Sequence, residues 1–90
     1  MRGVESMYIV VGSATTAERL RKAIERTIAF PAYVVKTPSQ IRNGGCSYSV
    51  RVDDRALGMI NQIIRDTGIS YKKIYTVKKE NGESVYHAVP

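Results

Sequence analysis

The sequence predicts an α+β fold in which the elements follow the order strand–helix–strand–strand–helix–strand, the ferredoxin-like arrangement. Two segments carry apolar residues at three- and four-residue spacing, as amphipathic helices do, and four short segments are apolar and β-branched, as strands are. Each helix has one apolar stripe, so we expect both helices on one face of an antiparallel sheet. Ninety residues predict a single domain, residues 1–90, with a core over about 6–78 and a terminal hairpin strand over 79–90.

The first half of the chain predicts two strands around a helix. Residues 7–11 are apolar on both alternating faces, which is typical of a central buried strand. Residues 15–18 match the S/T-x-x-E capping box, which predicts a helix from about 15 to about 29 that Pro31 ends. Residues 32–36 then predict the second strand.

The second half begins with a segment, residues 46–53, whose side chains alternate in character. The face predicted to meet the core comprises Cys46, Tyr48, Val50 and Val52. The face predicted to meet solvent comprises Ser47, Ser49 and Arg51. Asp53 or Asp54 is expected to cap the second helix, and Gly68 to end it.

The C-terminal part predicts a hairpin. Residues 73–78 are suited to a fourth strand. The dipeptide Asn81–Gly82 is the strongest short-range signal for a two-residue hairpin turn. Residues 84–89 are therefore expected to return as an additional edge strand.

Composition excludes several classes of function. A single cysteine permits no internal disulfide. With one cysteine and one histidine, His87, the chain lacks the four ligands of a structural zinc site. Neither a metal nor a cofactor is therefore expected. Residues 1–6 lack the pattern of a signal peptide, and no apolar run is long enough to cross a membrane, which predicts a cytoplasmic protein. The net charge of +6 fits an acidic partner, but also serves solubility.

Cys46 is the candidate functional residue. Gly44 and Gly45 precede it and permit backbone conformations that point successive amides into one concavity, which favours an anion. Arg42 and Arg51 are near in sequence, and guanidinium groups lower the pKa of a thiol. Cys46 is also in phase with the core-facing side chains of its strand, and a lone cysteine is more often a small buried hydrophobe than a nucleophile.

Further stretches of the chain resemble a known family. They are the hydroxyl-rich entry to the first helix at residues 12–17, Pro38 after the second strand, the loop and strand of residues 41–51, and the ending at residues 68–75. From about residue 7 to about 77, the chain is similar to the small selenium/sulfur carrier-like proteins.

The resemblance implies a carrier rather than a self-sufficient enzyme. Cys46 would hold sulfur or selenium as a persulfide-type adduct, received from a cysteine desulfurase-like donor and passed to an acceptor protein. The supporting residues would be Arg42, Gly44, Gly45, Ser47 and Arg51.

A second hypothesis is a non-catalytic binding or regulatory module whose basic surface meets an acidic protein or RNA. Six tyrosines accompany the positive charge, and ferredoxin-like sheets bind RNA by stacking bases on exposed aromatics. We rank nucleic acid low, because the third strand is expected to offer no aromatic on the open face, and tyrosines are ordinary strand formers. A homodimer through strand edges or the open sheet face is an arrangement that such a sheet allows.

Other catalytic patterns are absent or have simpler explanations. The glycine pair lacks the Gly-Lys-Ser/Thr of a phosphate loop. The adjacent carboxylates Asp53 and Asp54 occur where a helix cap is wanted, and His87 is expected on the surface of the terminal hairpin.

Overall fold

The computed structural model describes residues 6–42 and 47–89. Its elements are β1 (Ser6–Val11), α1 (Ala14–Thr27), β2 (Ala32–Lys36), β3 (Tyr48–Asp53), a 3₁₀ turn (Asp54–Ala56), α2 (Leu57–Thr67), β4 (Lys73–Glu80) and β5 (Glu83–Ala88).

The five strands form one sheet in the order β2-β3-β1-β4-β5, and every neighbouring pair is antiparallel. The first four strands therefore have the predicted βαββαβ topology, and β5 extends the sheet as the predicted additional edge strand. The two helices contact each other and pack on the sheet. The fold class inferred from the sequence is confirmed.

The core lies between the helices and one face of the sheet. Alternate residues of β1, Met7, Ile9 and Val11, are fully buried there, and α1 supplies Leu20 and Ile24. Burying such a side chain contributes about 1.5–3 kcal/mol relative to leaving it exposed. The period of two in the strand and of three to four in the helix thus selects the face on which the helices pack.

The start of α1 differs from the capping box predicted at residues 15–18. Ser13 is the N-cap, and its Oγ accepts a hydrogen bond from the Thr16 amide at 3.2 Å. Glu18 does not return to the cap but pairs with Arg21 on the next turn. The helix ends at Thr27, two residues before the expected limit, where the Ile28 amide donates to the Ile24 carbonyl.

The second helix is entered through the 3₁₀ turn. Asp53 caps that turn, because its carboxylate accepts a hydrogen bond from the Arg55 amide at 2.9 Å. The cap predicted for the second helix is therefore on the 3₁₀ turn that precedes it, whereas α2 itself begins at Leu57 with Ala56 at the N-cap and no side-chain cap. Gly68 ends the helix in the left-handed region with a φ of 70°, as expected.

The hairpin that joins β4 to β5 has the predicted turn. Asn81 and Gly82 both have positive φ, 53° and 81°, which matches the twist of the strands they connect. Over the described ranges 6–42 and 47–89, no helix is long and apolar enough to cross a membrane.

Candidate functional site

The candidate site lies in the connection between β2 and β3, of which the structure describes residues 37–42 and Ser47. Cys46, Gly44 and Gly45 lie outside the described residues. Their predicted roles, the chalcogen-carrying thiol and the anion-binding amides, therefore stay predictions. What the structure provides is the framework on both sides of the segment that contains them.

Two hydrogen bonds join the flanks of this segment. The Thr37 amide donates to the Ser47 carbonyl at 3.1 Å, which continues the β2–β3 pairing beyond Tyr48. One hydroxyl of the Thr37–Ser49 pair donates to the other at 2.7 Å. The chain thus leaves the sheet at Thr37 and re-enters it at Ser47, and these two residues lie side by side.

Ser49 corrects the expectation that Ser47, Ser49 and Arg51 share a solvent-facing side of β3. Its side chain is fully buried and Thr37 is 3% exposed, whereas Ser47 is half-buried and Arg51 exposed. A buried hydroxyl needs a hydrogen-bond partner, and these two hydroxyls satisfy each other. The open face of the sheet is consequently covered near the β2–β3 connection and exposed further along β3.

The described part of the connection extends along the open face toward the other edge of the sheet. A turn closed by the Ile41 amide and the Pro38 carbonyl, at 3.0 Å, precedes Arg42. Residues 40–42 line one shallow cleft with residues of β4 and β5; those strand residues are Tyr75, Ser84, Val85 and Tyr86. The cleft therefore lies where the described part of the connection ends, at Arg42.

The two arginines predicted to support Cys46 line different cavities. Arg42 is exposed and belongs to the cleft beside β4 and β5. The Arg51 guanidinium carbon lies 5.2 Å from the centre of the Tyr33 ring, in a cavity that Phe30 and Arg55 also line. The stabilisation of a Cys46 anion by either arginine stays a prediction.

The open sheet face carries a pair of aromatic residues that are far apart in the sequence. The rings of Tyr8 and Tyr86 stack with centroids 5.9 Å apart and an interplanar angle of 28°. Burial raises the pKa of the Tyr86 hydroxyl, and Tyr8 adds to the shift. The register of the strands brings these rings together. In the sequence, the only indication of this contact is that Tyr8 and Tyr86 both occur on predicted strands.

The remaining polar groups of the described residues are spread over the surface. Within residues 6–42 and 47–89, no three histidine, cysteine or carboxylate side chains are grouped as metal ligands. Asp53 forms an ion pair with Arg55 at 2.9 Å, and this contact raises the pKa of the Arg55 guanidinium. His87 is exposed on β5, as expected.

Comparison with known proteins relates the chain to a protein family. A protein-family model described as "Putative Se/S carrier protein-like" matches residues 6–76, a span that includes the β2–β3 connection and Cys46. Neither the search of curated proteins nor the search of solved structures found a match.

Proposed function

Because the chain belongs to the Se/S carrier-like family, we propose that it carries a sulfur or selenium atom on Cys46 and passes it between partner proteins. The observation that carries the proposal is the family match over residues 6–76, which contains the one cysteine of the sequence. A carrier needs a single nucleophilic thiol and partners that load and unload it, and it needs no catalytic apparatus of its own.

The loading step transfers a neutral sulfur atom from a cysteine desulfurase-like donor. The Cys46 thiolate attacks the terminal sulfur of the donor's persulfide, a new S–S bond forms, and the donor's S–S bond breaks. The donor leaves as a thiolate with the electron pair, and the terminal sulfur keeps its proton. The transfer needs no external oxidant or reductant, and a terminal selenium atom would follow the same path. Delivery to an acceptor protein reverses these roles.

The surroundings of the β2–β3 connection support this chemistry. A thiolate and a persulfide are anions, which cations and free amides stabilise. We assign the amides to Gly44 and Gly45, the adjacent hydroxyl to Ser47, and the principal cation to Arg42. Arg51 is assigned a smaller contribution, since its guanidinium stacks on Tyr33.

The flanking hydrogen bonds suit a site that partners must reach repeatedly. Thr37 and Ser47 are hydrogen-bonded to each other at the edge of the sheet, and the buried Thr37–Ser49 pair reinforces this contact. The residue that follows Cys46 in the sequence is therefore anchored to the sheet. The cytoplasmic location expected from the sequence fits a reduced thiol and stays a prediction, as does a homodimer.

Thiol reactivity across pH tests the proposal. The rate at which Cys46 reacts with a chromogenic disulfide would be measured from pH 5 to 10, in native protein and in urea. We expect fast native labelling with an apparent pKa below the ordinary value of about 8.5. Arg42→Gln should raise that pKa, Arg51→Gln should raise it less, and Arg26→Gln, an exposed helix position with the same charge change, serves as the control.

Two results would contradict the proposal. One is a thiol that reacts only in urea, because a buried cysteine cannot meet a partner. The other is a native thiol with an ordinary pKa in the wild type and in all three arginine variants, because the site would then lack an activating environment.

A further inference from the structure

The register of the strands aligns aromatic and cationic residues in one row across the open sheet face. Arg51 of β3 lies opposite Tyr33 of β2 on one side and Tyr8 of β1 on the other, and Tyr8 lies opposite Tyr75 of β4. Neighbouring strands are about 4.8 Å apart, so the row spans about 14 Å. Tyr86 of β5 adds its ring by stacking on Tyr8.

Positive charge accompanies these rings. The Arg51 guanidinium carbon lies 5.2 Å from the Tyr33 centroid, and Lys73 Nζ lies 5.9 Å from the Tyr75 centroid. Arg42 lines the cleft beside Tyr75. Within the described ranges, none of these three cations has a carboxylate within 4.0 Å.

Negative charge on the same face is sparse. Strand alternation places one acidic side chain of the described strands there, Asp53, and its carboxylate is bound by Arg55. The whole chain carries a net charge of +6. The surface is therefore complementary to a polyanion, and a second copy of this chain would bring like charge to it.

We propose that this face, formed by Tyr33, Arg51, Tyr8, Tyr75 and Tyr86, binds single-stranded nucleic acid. Unpaired bases stack on tyrosine rings, and the phosphates between them pair with the flanking cations. An acidic peptide would use the cations but not the ring faces, and a duplex would hide the faces of its bases. The inference goes beyond the carrier function and does not involve Cys46.

Fluorescence anisotropy with labelled ten-nucleotide RNA and DNA of mixed sequence tests the proposal. Tyr33 is 50% exposed, so Tyr33→Ala removes a ring with little loss of packing. We expect it to weaken binding by about 5- to 150-fold, the range typical of losing one stacked base. The matched control is Tyr71→Ala, a 43% exposed tyrosine outside the strands, which should bind as the wild type does.

A second pair of variants tests the phosphate contact. Arg51→Gln should weaken binding. It should also make the negative slope of log K against log salt concentration shallower by about 0.7, as expected for the loss of one phosphate contact on a single strand. Arg65→Gln makes the same charge change on an exposed position of α2 and should leave that slope unchanged. Comparing the RNA and DNA arms identifies which polymer is preferred.

Several outcomes would overturn the inference. Equal losses in Tyr33→Ala and Tyr71→Ala would show that the row of rings contributes nothing. If duplex RNA or polyglutamate bound as tightly as the single strands, attraction between net charges would explain the binding without stacking. A wild-type dimer in sedimentation velocity that Tyr33→Ala dissociates would assign the face to a second copy. Normal Cys46 reactivity alongside any of these results would leave the carrier proposal standing.

Discussion

Removing one hydroxyl of the buried Thr37–Ser49 pair is predicted to destabilise the fold. Ser49 is fully buried, and its Oγ lies 2.7 Å from the Thr37 hydroxyl oxygen. Thr37→Val keeps the shape of the side chain but leaves the Ser49 hydroxyl buried and unpaired. The expected cost is about 1–3 kcal/mol of unfolding free energy. In urea, with an m value of about 1–2 kcal/mol/M, a loss of about 2 kcal/mol lowers the midpoint by about 1–2 M.

A double-mutant cycle separates this effect from general disruption. Ser49→Ala should cost a similar amount, and Thr37→Val combined with Ser49→Ala should cost less than the sum, because the double variant leaves no unpaired hydroxyl. Thr76→Val is the control, since the Thr76 hydroxyl makes only an exposed hydrogen bond of 3.5 Å to the His87 carbonyl. Its effect should stay within about 0.5 kcal/mol. Strictly additive losses, or a Thr37→Val variant as stable as the wild type, would refute the reasoning.

The remaining predictions concern the core, the glycines and acid stability. Leu20→Ala should lower the free energy of unfolding in urea by about 2–5 kcal/mol, because Leu20 is fully buried. Leu57 is half-buried, so Leu57→Ala should lower it less. Equal losses would contradict the assigned packing. Gly68→Ala should lower the free energy of unfolding by about 1–2 kcal/mol, because Gly68 has a φ of 70°. Gly58→Ala should raise it by about 0.4–1 kcal/mol in thermal unfolding, because Gly58 lies inside α2 and a new Cβ there has no heavy atom within 4 Å. The reverse order would contradict the assigned end of α2. The hydrogen bond from Arg21 lowers the pKa of Glu18 below its ordinary value of 4.5, so its contribution to stability is present above that pH and lost as the pH falls through the lower folded value. Glu18→Gln should therefore flatten the acid limb of a stability–pH curve, and an unchanged limb would contradict the pairing.

Features governed by neighbours in sequence were predictable. The second strand was predicted at residues 32–36, where β2 lies, and the Asn81–Gly82 turn and the Gly68 helix end have the expected positive φ values. Each depends on conformational preferences of one or two residues, which tertiary contacts left unchanged. The order of helices and strands followed from the same local signals and restricted the topology to the ferredoxin-like arrangement.

Features that depend on packing and competing local contacts were not predictable. Thr15 and Glu18 fit a capping box, yet Ser13 caps the helix because it lies where the chain leaves β1, and Glu18 finds Arg21 instead. Ser49 alternates as a solvent-facing residue should, but the β2–β3 connection covers it. The alignment of Tyr33, Arg51, Tyr8 and Tyr75 follows from strand register, which no short pattern in the sequence encodes. The candidate site itself rests on the Cys46 motif and the family match.

Sulfur loading is the decisive test of whether Cys46 carries a chalcogen atom. The protein would be incubated with a cysteine desulfurase and free cysteine, separated from the donor, and examined by intact-mass spectrometry beside Cys46→Ser. We expect one added sulfur atom on the wild type, which a reducing agent removes and which Cys46→Ser lacks. A folded wild type that gains no sulfur from any desulfurase tested, while its thiol stays reactive to small probes, would contradict sulfur carriage. The same experiment with selenocysteine and a selenocysteine lyase as the donor would then decide whether selenium is the cargo, and failure in both would contradict the carrier function.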